Sequence, residues 1–275
     1  MDPPGDAGEG RIVIVTLLTD FGTADYFVAA MKGVILSLQP RAMVVDVTHE
    51  IPPQDVRGGA FTLLAAYGSF PAGTIHVCVV DPGVGSARRP ILVSAGEHFF
   101  VGPDNGVFGY VYDAEPRVRV FHLTNEWFFR HPVSATFHGR DVFAPVAGAL
   151  AAGTQPASLG QEIHDFRRLD PLRPVRGEGN TWEGTILHVD RFGNCVTNLS
   201  RAEMPEEEVA QRLRIRVNGE EVRSVRRFYT EGDGEAGKVF AIWGSAGFLE
   251  LSANRDSAAR ILGVRAGDPL TAEAG

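Results

Sequence analysis

RIVIVTLL, residues 11–18, is a compact run of β-branched residues and leucine, and it reads as a buried strand. The period then changes. Over residues 25–38 the apolar positions Phe27, Val28, Met31, Val34, Ile35 and Leu38 recur at helical spacing, which predicts an amphipathic helix that Pro40 stops. AMVVDV at 42–47 returns to strand. Residues 53–70 read as a second helix through Val56, Ala60, Leu63, Leu64 and Tyr67, and TIHVCVV at 74–80 is a third strand. Strand–helix–strand–helix–strand predicts a three-layer α/β domain with a mainly parallel sheet between helices. ILVSA (91–95) and HFFVG (98–102) read as shorter strands, and residues 141–152 as a helix of small residues that packs closely.

Working outward, residues 1–10 (MDPPGDAGEG) read as a disordered lead-in; they lack the basic region and apolar core of a signal peptide. The α/β domain is expected over 11–165. Pro, Gly and Arg dominate 166–180, where periodicity fails, and that stretch reads as a linker. Beyond it, WEGTILHVD, CVTNL, LRIRV, KVFAIW and FLELS are short strand-like segments punctuated by Gly, Asn and Asp, so residues 181–275 are expected to form a smaller all-β barrel domain.

The bulk composition excludes several classes. The chain of 275 residues carries a formal net charge of −8, which disfavours a nucleic-acid partner. No apolar run approaches the ~20 residues that span a bilayer, so no membrane partner is expected. Cys78 and Cys195 fall in apolar segments of different domains and read as reduced thiols of a cytoplasmic protein.

In an open parallel sheet, ligands bind beyond the carboxyl ends of the strands. Polar residues pile up there. Asp20 follows the first strand, Thr48 and His49 the second, and Asp81-Pro82-Gly83-Val84-Gly85 with Arg88 the third; Pro103 to Gly106 and Thr136 to Asp141 come later. Asp20 suits either the two hydroxyls of a ribose or the cap of the next helix. Asp81 suits a tight turn, or with Arg88 an ion pair that holds a polar group of a ligand. His138, between Phe137 and Gly139, suits a structural role or, beside that pair, a catalytic one. Phosphate-cradling GxxxxGK[ST] and GxGxxG loops are missing, as is a Gly-x-Ser-x-Gly elbow. The Asp and His spacing matches no standard metal-ligand pattern, so no metal is expected.

LLTDFGTADYFVAAMKG, DVTHEIPPQDV, VVDPGVG with Arg88, GPDNGVF, TFHGRDVFAP and VDRFGNCVTN stand in this order. Together they resemble the S-adenosylmethionine hydroxide adenosyltransferase (S-adenosylmethionine hydrolase) family, to which enzymes making 5′-halo-5′-deoxyadenosine are related. The resemblance runs from about Arg11 to about Leu270. It implies a homotrimer whose substrate, S-adenosylmethionine, lies between subunits, with no further cofactor. It places the catalytic set on Asp81, Arg88 and His138 and ribose binding on Asp20. Asp25 and Ser245 fall near the methionine arm, Asp190 and Asn194 in the second-domain part of the site, and Phe228, Asn254 and Arg255 around the adenine.

The implied chemistry suits these residues. A sulfonium departs as a neutral thioether, so no general acid is needed. Water needs activation and alignment with the C5′–S bond, which Arg88, Asp81 and His138 can supply. Two other readings remain open here, a halide-dependent adenosyl transferase and a non-catalytic sensor of S-adenosylmethionine or adenosine. A carboxylate in the pocket repels halide and argues against the first. Where the halogenating relatives carry Arg after the serine matching Ser245, this chain has Ala246.

Overall fold

A computed structural model describes residues 12–204, 213–231 and 237–273; the expected lead-in over 1–10 lies outside them. The chain divides into two compact units, one ending at Asp170 and the other beginning at Pro171.

The first unit contains, in order, β1 (Ile14–Thr19), α1 (Phe27–Leu38), β2 (Met43–Thr48), α2 (Val56–Tyr67), β3 (Ile75–Val79), β4 (Pro90–Ala95), β5 (His98–Pro103), α3 (Gly109–Ala114), β6 (Val118–Leu123), α4 (Ala144–Ala151) and β7 (Gly160–Ile163). The strands form one sheet in the order β2-β1-β3-β5-β4-β6-β7. Its first half is parallel: β1 pairs in parallel with β2 and β3, and β3 with β5. Its second half is not. β4 runs antiparallel to β5 and β6, and β6 to β7. The sheet is therefore mixed rather than mainly parallel. The cause is local: only Gly96 and Glu97 join β4 to β5, with Gly96 at φ 56°. Two residues can reverse a chain but cannot supply the crossover that parallel neighbours need.

Alternation along the strands sends side chains to two apolar clusters. Val15, Leu17, Val77 and Val79 pack with Met31 and Ile35 of α1 and with Val146 and Ala147 of α4. Leu18, Cys78, Val80 and Ile91 pack with Leu63 of α2 and Val111 of α3. Each fully buried aliphatic side chain contributes about 1.5–3 kcal/mol of transfer free energy. At the start of α2, Asp55 accepts a hydrogen bond from the Gly58 amide at 2.9 Å, a side-chain cap that fixes where the helix begins.

The second unit is a sheet of antiparallel ladders, with one parallel pair at its edge. It contains β8 (Val175–Arg176), β9 (Thr181–Val189), β10 (Cys195–Ser200), β11 (Arg214–Val217), β12 (Glu220–Val222), β13 (Val225–Arg226), β14 (Val239–Trp243), β15 (Phe248–Ala253) and β16 (Pro269–Glu273). The order is β12-β11-β16-β9-β10-β15-β14-β13, with β8 also on β9. It curls around one core that includes Trp182, Ile186, Leu199, Ile215, Leu249, Leu251 and Leu270. Among the described residues β12 and β13 do not pair, so the expected barrel is an open half-barrel. The 166–180 stretch is shared out: Arg167 donates its amide to buried Asp104 of the first unit at 2.8 Å, and Val175–Arg176 adds a strand to the second.

Cys78 in β3 and Cys195 in β10 are free and buried, one thiol in each unit. Burial pushes both thiols up, Cys195 to about 12. No helix among the described residues is long and apolar enough to cross a membrane.

Candidate active site

Asp81 follows β3, and a tight turn turns the chain back toward it. The Val84 amide donates to the Asp81 carbonyl at 3.3 Å, and Ser86 Oγ donates to the Gly83 carbonyl at 2.6 Å. Gly85 sits at φ 76°, and a Cβ there would collide with the Ala135 carbonyl, so only glycine lets this loop lie against the segment leading to His138. That segment enters a π-helical turn, Gly139–Phe143, which runs into α4. Widened turns of this kind are frequent at functional sites. Asp141, fully buried, ties the turn down by accepting from the Ser134 amide at 2.9 Å and from Arg140 at 2.7 and 2.8 Å.

The result is a compact constellation. Arg88 grips Asp81 with two parallel bonds, Nε to Oδ1 at 3.0 Å and Nη2 to Oδ2 at 2.5 Å. Its Nη2 also donates to His138 Nδ1 at 2.7 Å. The side chains of Arg88 and Asp81 are only 8% and 4% exposed, which in the second case leaves water little access to the carboxylate. The guanidinium carbon lies 5.3 Å from the Phe143 ring centroid. Arg88 Nη1 is buried and has no hydrogen-bond partner among the described residues. An unmet buried donor costs about 1–3 kcal/mol, so it marks a place where an acceptor atom is wanted.

Arginine has donors only, so the Nδ1 of His138 accepts and the neutral ring carries its proton on Nε2. Burial first and the Arg88 charge second hold the imidazole below its ordinary value, against the pull of Asp81 and Asp141. His138 therefore presents an N–H donor at neutral pH.

Asp20 ends β1. Its Oδ2 accepts from the Gln54 amide at 2.8 Å, and among the described residues Oδ1 is left for a ligand. It does not cap α1, whose first turn has no side-chain cap. The neighbouring loop is knit tightly: the Gly22 amide donates to the His49 carbonyl at 2.7 Å, Thr19 Oγ1 and His49 Nδ1 lie 2.9 Å apart, and Lys32 pairs with Asp46 at 2.6 Å. Asp25 is exposed in the loop before α1.

In the second unit Asp190 closes the β9–β10 loop. Its Oδ1 accepts from the Phe192 and Asn194 amides at 2.9 and 2.8 Å, and its Oδ2 from Asn194 Nδ2 at 2.8 Å. Both residues line a cavity of about 650 Å³ with Phe192, Tyr229, Asn254 and Arg255, a volume in the range of small-molecule pockets. Phe228 is 52% exposed and does not line it; its neighbour Tyr229 does. Ser245 is exposed in the turn between β14 and β15. Glu250, buried on β15 behind that turn, is a residue the sequence reading passed over.

The described residues of the two units thus hold the Asp81–Arg88–His138 cluster with Asp20 in one, and the Asp190–Asn194 cavity in the other. The family model described as the SAM hydroxide adenosyltransferase N-terminal domain matches residues 15–160, and that of the C-terminal domain matches 184–271. Proteins named (R)-S-adenosyl-L-methionine hydrolase are similar; that of Salinispora tropica is 41% identical over 263 residues, covering 95% of this chain and 98% of its own. A fluorinase of Actinoplanes sp. is more distant, 25% identical over 287 residues, covering 94% of this chain and 96% of its own. A crystal structure of a conserved Thermotoga maritima protein superposes with a TM-score of 0.87 at 33% identity, covering 94% of this chain and 99% of that one.

Proposed function

We infer, for a chain that belongs to the SAM hydroxide adenosyltransferase family, that the reaction is hydrolysis of S-adenosyl-L-methionine to adenosine and L-methionine. The protein is an S-adenosyl-L-methionine hydrolase. The relatives' name specifies the R configuration at sulfur, and the same epimer is proposed as the substrate here.

The observation that carries the mechanism is the buried, unpartnered Nη1 of Arg88. In this proposal the oxygen of water sits on that donor, facing C5′ of the ribose. The oxygen bonds to C5′ as the C5′–S bond breaks, and the bonding pair leaves with sulfur as the neutral thioether of methionine. The proton leaves through the hydrogen-bonded cluster, whose carboxylate, Asp81, takes it up; the Asp81 oxygens each give one lone pair to Arg88 and keep one in reserve. His138 orients the oxygen through Nε2–H, its other nitrogen being taken by Arg88. Arg88 supplies the positive charge that steadies hydroxide, and the scheme calls on no metal or organic cofactor. A dry pocket adds reactivity, because hydroxide stripped of bulk water is a stronger nucleophile.

The test is hydrolysis in oxygen-18 water followed by mass spectrometry of both products. Label in the 5′-hydroxyl of adenosine is expected. Label in homoserine would mean attack on the methionine side and would sink the mechanism.

Asp20 and the Arg88 cluster belong to one unit, and Asp190 and Asn194 to the other. We propose that a homotrimer completes each site across a subunit boundary. Light scattering should give three times the 29.7 kDa chain mass, and a monomeric active species would overturn this assembly.

A further inference from the structure

His49 is a buried histidine that the mechanism leaves unused, on the loop after β2. The strand is irregular just before it. β1 and β2 run in step from Ile14 opposite Met43 to Leu17 opposite Asp46; then Leu18 stands opposite Thr48, so β2 carries one extra residue. Bulges of this kind re-aim side chains beside functional sites. One step further, the shifted register brings His49, rather than Thr48, level with Thr19 at the end of β1.

Both ends of the imidazole are engaged. Nδ1 lies 2.9 Å from Thr19 Oγ1. Nε2 lies 3.0 Å from Asp46 Oδ1, near enough for charge attraction but out of line for a hydrogen bond. Asp46 Oδ2 in turn pairs with Lys32 at 2.6 Å. A carboxylate beside Nε2 favours the ring proton there, so Nδ1 accepts and the Thr19 hydroxyl donates. The same hydroxyl oxygen accepts from the Phe21 amide at 3.2 Å, and the His49 carbonyl accepts from the Gly22 amide at 2.7 Å. Thr, His and Asp in this order resemble a nucleophile, its base and an orienting acid. They cannot act as one here, because Thr19 is fully buried. What the arrangement does is hold residues 19–22.

Asp20 stands between these anchors. Its Oδ2 is fixed by the amide of Gln54, at the far end of the same β2–α2 loop, where Gln54 turns the chain at φ 68°. The stretch from His49 to Gln54 therefore grips Asp20 by its carboxylate and by the chain on either side of it. We propose that His49 is a positioning residue: through Thr19 and the Gly22 amide it aims the Asp20 carboxylate at the ribose diol of the substrate. The proposal rests on the hydrolase reading with Asp20 on the ribose, and deepens it. A carboxylate that must accept from two neighbouring hydroxyls is sensitive to tilt; displaced, it keeps its charge and loses the fit.

The experiment measures kcat and KM on S-adenosylmethionine and on its 2′,3′-dideoxy analogue, which lacks the diol, for wild type, His49→Leu, His49→Asn and Thr19→Val. Leucine fills the space without an acceptor, whereas the carboxamide oxygen of asparagine can stand in for Nδ1. Wild type should prefer the natural substrate. His49→Leu and Thr19→Val should each lose about 10–30-fold in kcat/KM on S-adenosylmethionine, chiefly through KM, and change by less than about 3-fold on the analogue, while His49→Asn restores most of the preference. Retained handling of the analogue also shows that a variant is folded, and Thr19→Val, which removes only a hydroxyl, carries the test if His49→Leu does not fold. Should wild type hydrolyse only the natural substrate, competitive inhibition by adenosine and by 2′,3′-dideoxyadenosine reads the same preference. Equal losses on both compounds would make His49 a residue of general stability and overturn the proposal, as would no loss on either. A wild type without preference would show that Asp20 holds no diol, and the proposal would fall while the hydrolase reading stands. If wild type hydrolyses neither compound, the hydrolase reading itself has failed.

Discussion

Asp81→Asn and His138→Ala should each lower the single-turnover rate of S-adenosylmethionine hydrolysis by about 10²–10⁴-fold while leaving calorimetric affinity nearly intact. Both side chains act on the water, whose interactions strengthen only as charge develops, so their loss falls on the transition state rather than on substrate binding. The pH profile adds a sharper check. His138 is held below its ordinary value by burial and by the Arg88 charge, so it is neutral at neutral pH and protonates only as the medium turns acidic. A proton on Nδ1 would set two N–H groups against each other at the Arg88 contact. Activity should therefore be full at neutral pH and fall as acidification protonates His138, below the ordinary histidine range, and the limb should vanish in His138→Ala. A wild-type rate for His138→Ala would leave this histidine a purely structural residue.

Arg88→Met should be the most damaging single change. It removes the orphan Nη1 and the three bonds that Arg88 makes to Asp81 and His138. It also strands a carboxylate that is 4% exposed. Removing one partner of a buried ion pair typically costs 3–5 kcal/mol, or on the order of 10 °C in melting temperature for a chain of this size. The double variant Asp81→Asn with Arg88→Met buries no lone charge and should recover much of that stability while remaining inactive. Thermal melts of the four proteins give the coupling directly. An Arg88→Met melt equal to wild type would show that the pair contributes nothing to the fold.

The part of the site that could be read in the sequence is the part made by strand ends. Asp20, Asp81 and Arg88 follow β-branched runs, and topology alone sends such residues to one edge of a sheet. His138 is already a candidate beside Asp81 and Arg88, with a structural role as the alternative; the family resemblance gives it a catalytic reading and supplies the second-domain residues. Other features left no readable signal. Glu250 occupies a polar slot in the alternating segment FLELS, where a glutamate reads as a solvated outward side chain; only the turn at Gly244 and the cover of its neighbours bury it. Phe228 and Tyr229 are adjacent aromatics in a segment without periodicity, so nothing local says which one faces the cavity. The antiparallel half of the first sheet was signalled by the two-residue link Gly96-Glu97, a hairpin cue obscured by the strong strand–helix alternation before it. Helix α3 and strands β6 and β7 are six residues or fewer, too short to show a period.

The two buried thiols give this molecule a built-in clock for each half. Cys78 lies in the middle of the first sheet and Cys195 in the second, and neither reacts while its strand is in place. A thiol reagent can reach them only when the surrounding structure opens, so labelling rates, read by peptide mass, would time the opening of each unit separately. A common rate for both would describe one cooperative machine. Two rates, with substrate slowing one more than the other, would tell which half the ligand braces.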